Sequence, residues 1–331
     1  MSITMGVVMA ISAAGCGGSD AREDNPGGLT KIRLGWQKVP MTSANYLMAQ
    51  EGHKYGLDIE LVEFNRYTDM RVALENGSID FGTIGPGDMA LSADSGRSDM
   101  VVLAGEATGA DLIAKRADAG PLTWKDLASG KVPFGSFGAG IAWVKTVATL
   151  DEQGHDIGDV DEIKVAGSIF DVMQTLKSGG TQVVMNVDPA IAQGAKEGYA
   201  EYADELDINS SSLGGQNSLF VANEDMLERP EVVKKVLRNY VDQLERLAAD
   251  RALWATTFQG YTGIDKSVAE ESLKRIQLSV RFSRNELSAF AKFLTGKGIA
   301  KNPELPEIVK DRYQYEFLAE VTGKSEPELG K

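Results

Sequence analysis

The chain has 331 residues, 43% apolar and 25% charged, and its 34 basic and 48 acidic side chains give a net charge of −14. At about 150 residues per domain this is a two-domain length with an ordinary globular balance, which excludes a mainly disordered chain. The acidic excess excludes a nucleic-acid partner, which needs clustered basic groups, and suits a protein that does not adhere to anionic membrane surfaces. The single cysteine, Cys16, excludes an internal disulfide, a CxxC redox motif and a cysteine-based zinc site. Two histidines, His53 and His155, leave little material for a histidine metal site or general base.

Residues 1–15, MSITMGVVMAISAAG, carry no charge and are too short to span a bilayer, which needs about 20 residues. They have the length of the apolar region of a signal peptide and end in small residues. Cys16 follows directly, and the Ser12-Ala13-Ala14-Gly15-Cys16 arrangement resembles a bacterial lipoprotein signal. That resemblance implies cleavage before Cys16 and its acylation, with 16–30 as a polar flexible tether.

The folded body is expected to open with a buried strand, KIRLGW (31–36), and a helix over 43–51. A second strand, LDIELVEF (57–64), leads to a helix capped by Thr68 and stopped by Asn76-Gly77. IDFGTIG (79–85) is the third strand, Pro86 opens the next helix, and DMVVLAGE (99–106) is the fourth strand. The alternation restarts after Thr123 and Asp126, which form a box-like cap. A strand over 131–140 runs into a glycine-rich turn and a helix over 139–153; EIKVAG (162–167) precedes a helix opened by Ser168 and Asp171. TQVVMN (181–186) is a further strand, with Asp188 as N-cap and Pro189 as first residue of the helix after it. SLFVAN (218–223) is a return strand. A long amphipathic helix from Pro230 and helices over 266–278, 284–295 and 306–321 complete the chain.

Ligands of open α/β sheets bind beyond the carboxyl ends of the strands, where helix N-termini offer free N–H groups. That rule selects Trp36, Gln37, Thr42 and Asn45 after the first strand, Gly85, Pro86, Gly87 and Asp88 after the third, and Glu106 and Thr108 after the fourth. In the second block it selects Ser136, Gly138, Ala139 and Gly140, then Phe170, then Asn186 and Asp188. No arginine or lysine is expected at these strand ends. Each position has a plainer reading as a turn, cap or core residue. The Ser136–Gly140 turn lacks the Walker Gly-Lys-Ser/Thr and the GxGxxG spacing, which excludes a nucleotide site. There is no HExxH and no GxSxG, and no cofactor or metal is implied.

IRLGWQ, the Met48-Ala49-Gln50-Glu51-Gly52 segment, LDIELVEF, and Ala73-Leu74-Glu75-Asn76-Gly77-Ser78-Ile79-Asp80-Phe81-Gly82 together resemble the nitrate/taurine/aliphatic-sulfonate group of ABC-transporter substrate-binding proteins, which includes thiamine-pyrimidine relatives. The resemblance implies a type II periplasmic-binding-protein fold: two α/β lobes with a hinge and a helical C-terminal region. The expected division is 31–112 plus 217–331 for the first lobe and 113–216 for the second. The implied function is an extracytoplasmic solute receptor, lipid-anchored at the outer face of the membrane. It would act as a monomer, closing on a sulfonate, nitrate, aromatic acid or pyrimidine-type solute and docking on an ABC permease. Two alternatives stay open: an enzyme on the same fold, desulfinase-like or pyrimidine-metabolising, and a surface lipoprotein that binds nothing.

Overall fold

The computed structural model describes residues 28–97, 99–138 and 140–331. Cys16, the signal and most of the tether lie outside the described residues, as does Ala139.

The first half of the chain alternates strand and helix: β1 (Thr30–Trp36), α1 (Ser43–Glu51), β2 (Leu57–Glu63), α2 (Tyr67–Glu75), β3 (Phe81–Ile84), α3 (Pro86–Asp94) and β4 (Met100–Thr108). A second series follows: β5 (Leu112–Arg116), α4 (Trp124–Leu127), β6 (Phe134–Ser136), α5 (Ile141–Glu152), β7 (Glu162–Lys164), α6 (Ile169–Ser178), β8 (Val183–Asn186), α7 (Ala190–Lys196) and β9 (Ala200–Tyr202). The chain then returns through β10 (Gln216–Asn223), α8 (Pro230–Ala249), α9 (Arg251–Thr262), α10 (Lys266–Ser272), β11 (Gln277–Leu278), α11 (Arg284–Gly296), α12 (Leu305–Ile308), α13 (Tyr315–Thr322) and α14 (Glu326–Leu329).

These strands form two sheets. The larger runs β11-β4-β10-β3-β1-β2 and the smaller β7-β6-β8-β5-β9. Within the larger sheet β1 lies parallel to β2 and β3, while β10 enters antiparallel between β3 and β4. The chain therefore crosses between sheets twice, at 109–111 and at 203–215. The expected boundaries each miss by one residue, because Leu112 already pairs with Asn186 in the smaller sheet and Gln216 with Thr108 in the larger.

Local sequence chemistry accounts for several helix starts. Thr123 with Asp126 and Ser168 with Asp171 make reciprocal capping boxes, which satisfy the first free amides of α4 and α6. Asp250 accepts from the amides of Ala252 and Leu253 and so starts α9, a helix the sequence reading omits. Three expectations need correction. Thr68 lies inside α2, and its hydroxyl donates to Asp88 instead of capping. Asp188 stands two residues before α7, although its carboxylate still accepts from the Ala192 amide at 3.0 Å. The helix expected over 266–278 stops at Ser272, because Gln277 and Leu278 pair with β4; the span 306–321 is likewise broken, into α12, a 3-10 turn and α13.

Gly105 makes the edge pairing possible. A side-chain carbon there would sit 1.9 Å from the Arg281 carbonyl oxygen, so only glycine lets this segment approach β4. One large hydrophobic cluster spans both faces of the larger sheet and takes in Ile141, Val144 and Ala148 of α5. Two smaller clusters cover the smaller sheet.

Candidate ligand cleft between the two sheets

A cavity of about 350 Å³ opens where the two series of strand ends face each other. That is within the range of about 300–1,000 Å³ typical of small-molecule sites. The larger side contributes Gln37, Lys38, Val39 and Met41 after β1, Glu63–Thr68 after β2, Asp88 from the first turn of α3, and Asn217 from β10. The smaller side contributes Phe137, Gly138, Gly140, Ile141 and Ala142 around the start of α5, Gly167–Phe170 at the start of α6, and Met185–Val187 after β8. Helix α5 begins at Gly140 without a capping side chain, in contrast to α6 with its box. Its first turn therefore keeps free N–H groups and the positive end of the helix dipole.

The wall presents mostly apolar surface, although about half of its residues carry polar or charged side chains. Lys38 pairs with Glu63 at 2.8 Å, and both side chains are about half exposed. Asp88 is 8% exposed; its Oδ1 accepts from Thr68 at 3.2 Å and lies 3.7 Å from Arg71 Nε. Burial raises the Asp88 carboxyl to about 6, against the opposing charge of Arg71. Arg71 is also engaged by Glu75 at 3.0 Å. A carbon placed on Gly85 would lie 3.5 Å from Asn217 O and Ile141 Cβ and 3.6 Å from Asp88 Oδ2, so these groups converge. Asn217 donates to Asp111 at 2.9 Å, while its own Oδ1 is buried without a partner.

Behind this wall lies a sealed polar chain. Asn45 donates to Thr83 at 3.0 Å, and Thr83 donates to Glu106 Oε1 at 3.0 Å. Ser218 adjoins both Glu106 and Tyr67, yet Glu106 Oε2, Ser218 Oγ and the Tyr67 hydroxyl have no well-aligned partner. Burial pushes Glu106 up to about 8, over the opposing pull of the Ser218 and Thr83 hydroxyls.

Of the residues selected from sequence, Gln37, Asp88, Gly138, Gly140, Phe170 and Asn186 line the cavity. Phe170 is 46% exposed where it borders the cavity. The others are placed elsewhere. Trp36 packs against Tyr46 and Tyr261, with ring centroids 5.7 and 5.1 Å away. The Thr42 hydroxyl donates to the Gln37 and Val39 carbonyls, and Asn45 is tied to Thr83. Gly85, Pro86 and Gly87 form the buried start of α3, and Thr108 ends β4. Ser136 donates to Glu162. Glu106 is fully buried within β4, and Asp188 turns away, its two carboxylate oxygens 2.9 and 3.0 Å from the Tyr202 hydroxyl that donates to them. Burial raises Asp188 to about 7.

Two expectations about charge and coverage also change. Lys38 and Arg66 both line the cavity, although no basic residue was expected there. The exit of β2, Phe64 to Thr68, also lines the cavity although it is not among the residues selected from sequence; the strand-end rule applied to 57–64 finds it. Among the described residues no group of three or more His, Cys, Asp or Glu is placed to hold a metal ion, and no helix is long and apolar enough to cross a membrane.

Two α/β units joined by two crossovers, with a cleft lined from both, define a two-lobed solute-binding protein. The chain belongs to the family of ABC transporter, phosphonate, periplasmic substrate-binding proteins, whose sequence profile matches residues 43–269. It is thus an extracytoplasmic solute-binding component of an ABC importer, with a small-molecule solute and a membrane permease as its partners.

Solved structures of similar fold include the alkanesulfonate-binding protein SsuA from Xanthomonas axonopodis pv. citri bound to MOPS, at 19% identity and a TM-score of 0.71, covering 86% of this chain and 98% of that one. The periplasmic nitrate-binding protein NrtA from Synechocystis PCC 6803 matches at 14% identity and a TM-score of 0.73, covering 89% of each chain. The periplasmic aliphatic sulphonate binding protein SsuA from Escherichia coli matches at 16% identity and a TM-score of 0.67, covering 82% of this chain and 94% of that one. No curated relative matches the chain.

Proposed function

We propose that the cleft binds a small organic acid of the phosphonate or sulfonate type and delivers it unchanged to the permease. The observation that carries this reading is the uncapped start of α5 at Gly140, whose first residues line a cavity bounded by both lobes. Free first-turn amides and the dipole favour an anionic head. Phe64, Phe137 and Phe170 give the body of the solute an apolar surface, and Asp88 with Asn217 Oδ1 accepts hydrogen bonds from a donor group on it. Gln37, Gly138 and Asn186 complete the contacts. Ligand contacts to both lobes then favour the closed arrangement, a population shift that the permease reads. The protein acts as a monomer, and Cys16 supplies a lipid anchor to the outer face of the membrane.

The test is a thermal-shift screen of methyl- and phenylphosphonate, ethane- and benzenesulfonate, nitrate, benzoate and a pyrimidine, with mass spectrometry of the recovered solute. A binder raises the melting temperature by mass action and comes back intact. A panel without any shift would refute the reading, and a solute recovered as product would establish an enzyme instead.

A further inference from the structure

The ligand cleft has a counterpart across the crossover. In the larger sheet the cleft is built at the β3-β1-β2 side, and in the smaller sheet at the β7-β6-β8 side. At the opposite edges, β11 and β9, a second groove of about 640 Å³ is bounded by α7 and β9 of the smaller lobe and by α10 and Arg275 of the larger. No function so far described uses it.

Arg275 spans this groove. Its guanidinium stacks 3.5 Å over the Tyr202 ring, donates to both Asp204 oxygens at 3.1 and 3.3 Å, and donates to Glu271 at 3.1 Å. A planar fork that is stacked and paired at once is held far more tightly than a surface ammonium. Two further ion pairs between the lobes, Lys196 with Asp265 and Lys297 with Asp151, join more exposed side chains and contribute little beside the apolar packing of α5 on the larger lobe. Arg275 also sits at the hinge itself, since its carbonyl packs against Gly109 in the first crossover, where a side-chain carbon would come within 2.4 Å.

Tyr202 passes this contact inward. Its hydroxyl donates to both oxygens of Asp188, and Asp188 accepts from the Ala192 amide in α7. The two residues immediately before Asp188 are Asn186 and Val187, which line the ligand cleft. A continuous set of contacts thus runs from the larger lobe, through Arg275, Tyr202 and Asp188, to one wall of the cleft on the other side of the hinge.

We propose that Arg275 is a positioning residue for solute binding: it fixes the angle between the lobes and, through Tyr202 and Asp188, the placement of the Asn186–Val187 wall. The proposal extends the receptor reading but stands on lobe geometry, so it is tested without any solute and fails independently of the solute's identity. Spin labels on Glu60→Cys and Lys131→Cys, exposed positions of the larger and smaller lobe, report the interlobe distance in the full chain carrying Cys16→Ser. The parent is expected to give one narrow distance distribution. Arg275→Ala is expected to populate other distances about five- to thirtyfold more, the change that corresponds to losing one or two kcal/mol. Arg275→Lys keeps the charge but loses the fork and the stack, so it is expected to resemble Arg275→Ala, and it serves if the alanine variant does not fold. Amide exchange at Ala190–Ala192 should quicken in both. Distance distributions that superimpose on the parent, or a lysine variant that restores the parent's distribution fully, would overturn the proposal.

Discussion

Lys145 Nζ lies 2.8 Å from Asp111 Oδ2, and neither side chain reaches solvent. Asp111 stands in the first crossover and Lys145 on α5, so the pair pins the first helix of the cleft to the hinge. Asn217 and Asn209 complete the set: Asn217 donates to the other Asp111 oxygen, and Lys145 donates to Asn209 Oδ1 at 3.3 Å. Breaking such a pair leaves one charge buried and uncompensated. Lys145→Met is therefore expected to cost about 3–5 kcal/mol, and Lys145→Met with Asp111→Asn to recover most of it. Urea denaturation of the two variants measures this; equal losses would show that the packing of α5, and not the charge, is responsible.

The buried carboxyls make stability fall as pH rises. Glu106 titrates near 8 in the folded chain, above the usual glutamate value of 4.5, so the folded state holds the proton more tightly than the unfolded state. Its favourable contribution is complete below the unfolded value and is lost as pH rises through the folded one. Asp88, near 6, and Asp188, near 7, act in the same direction over lower windows. Glu106→Gln keeps the shape and cannot ionise. It is expected to flatten the loss between about pH 5 and pH 8 and to leave the variant more stable at the upper end. A slope unchanged from the parent in paired denaturation curves would exclude Glu106 as its source.

Substitution of Phe170 is expected to separate binding from folding. Because it is 46% exposed, Phe170→Ala should change stability by no more than about 0.5 kcal/mol. Covering an aromatic ring is worth about 1.5–3 kcal/mol, so affinity for phenylphosphonate should fall by roughly tenfold or more while that for methylphosphonate changes less. Titration calorimetry with both solutes decides it, and equal losses for the two would remove Phe170 from the contact surface.

The proposed lipid anchor at Cys16 is tested in cells. Labelled palmitate is expected to enter the protein, and Cys16→Ser to abolish the label and release the protein from the membrane fraction. Release without any loss of label would place the acyl group elsewhere.

The strand–helix alternation, the capping boxes of α4 and α6 and the return strand are readable from sequence because each depends on neighbours within a few residues. Ser168 and Asp171 need only each other, and β10 announces itself as an apolar run. The cleft is less readable, because direction along a strand decides where a side chain goes. The sequence pattern ends the fourth strand at Glu106, yet β4 continues to Thr108, so the Glu106 side chain turns into the core. Trp36 is claimed by Tyr46 and Tyr261, a partner 225 residues further along that no local pattern reveals. The edge strand β11 depends on Gly105 admitting a distant backbone, a fact invisible within the Gln277–Leu278 segment itself.

The way the return strand enters the larger sheet has a consequence for how the chain reaches its native state. The smaller sheet draws all five strands from one uninterrupted stretch, Leu112–Tyr202, whereas the larger waits for β10 to insert between β3 and β4. Short-range pairing is kinetically favoured over long loop closure, so the smaller half is expected to acquire structure first during synthesis or refolding. Stopped-flow fluorescence of variants that keep only Trp124, on α4, or only Trp254, on α9, would then record the Trp254 signal as the slower of the two.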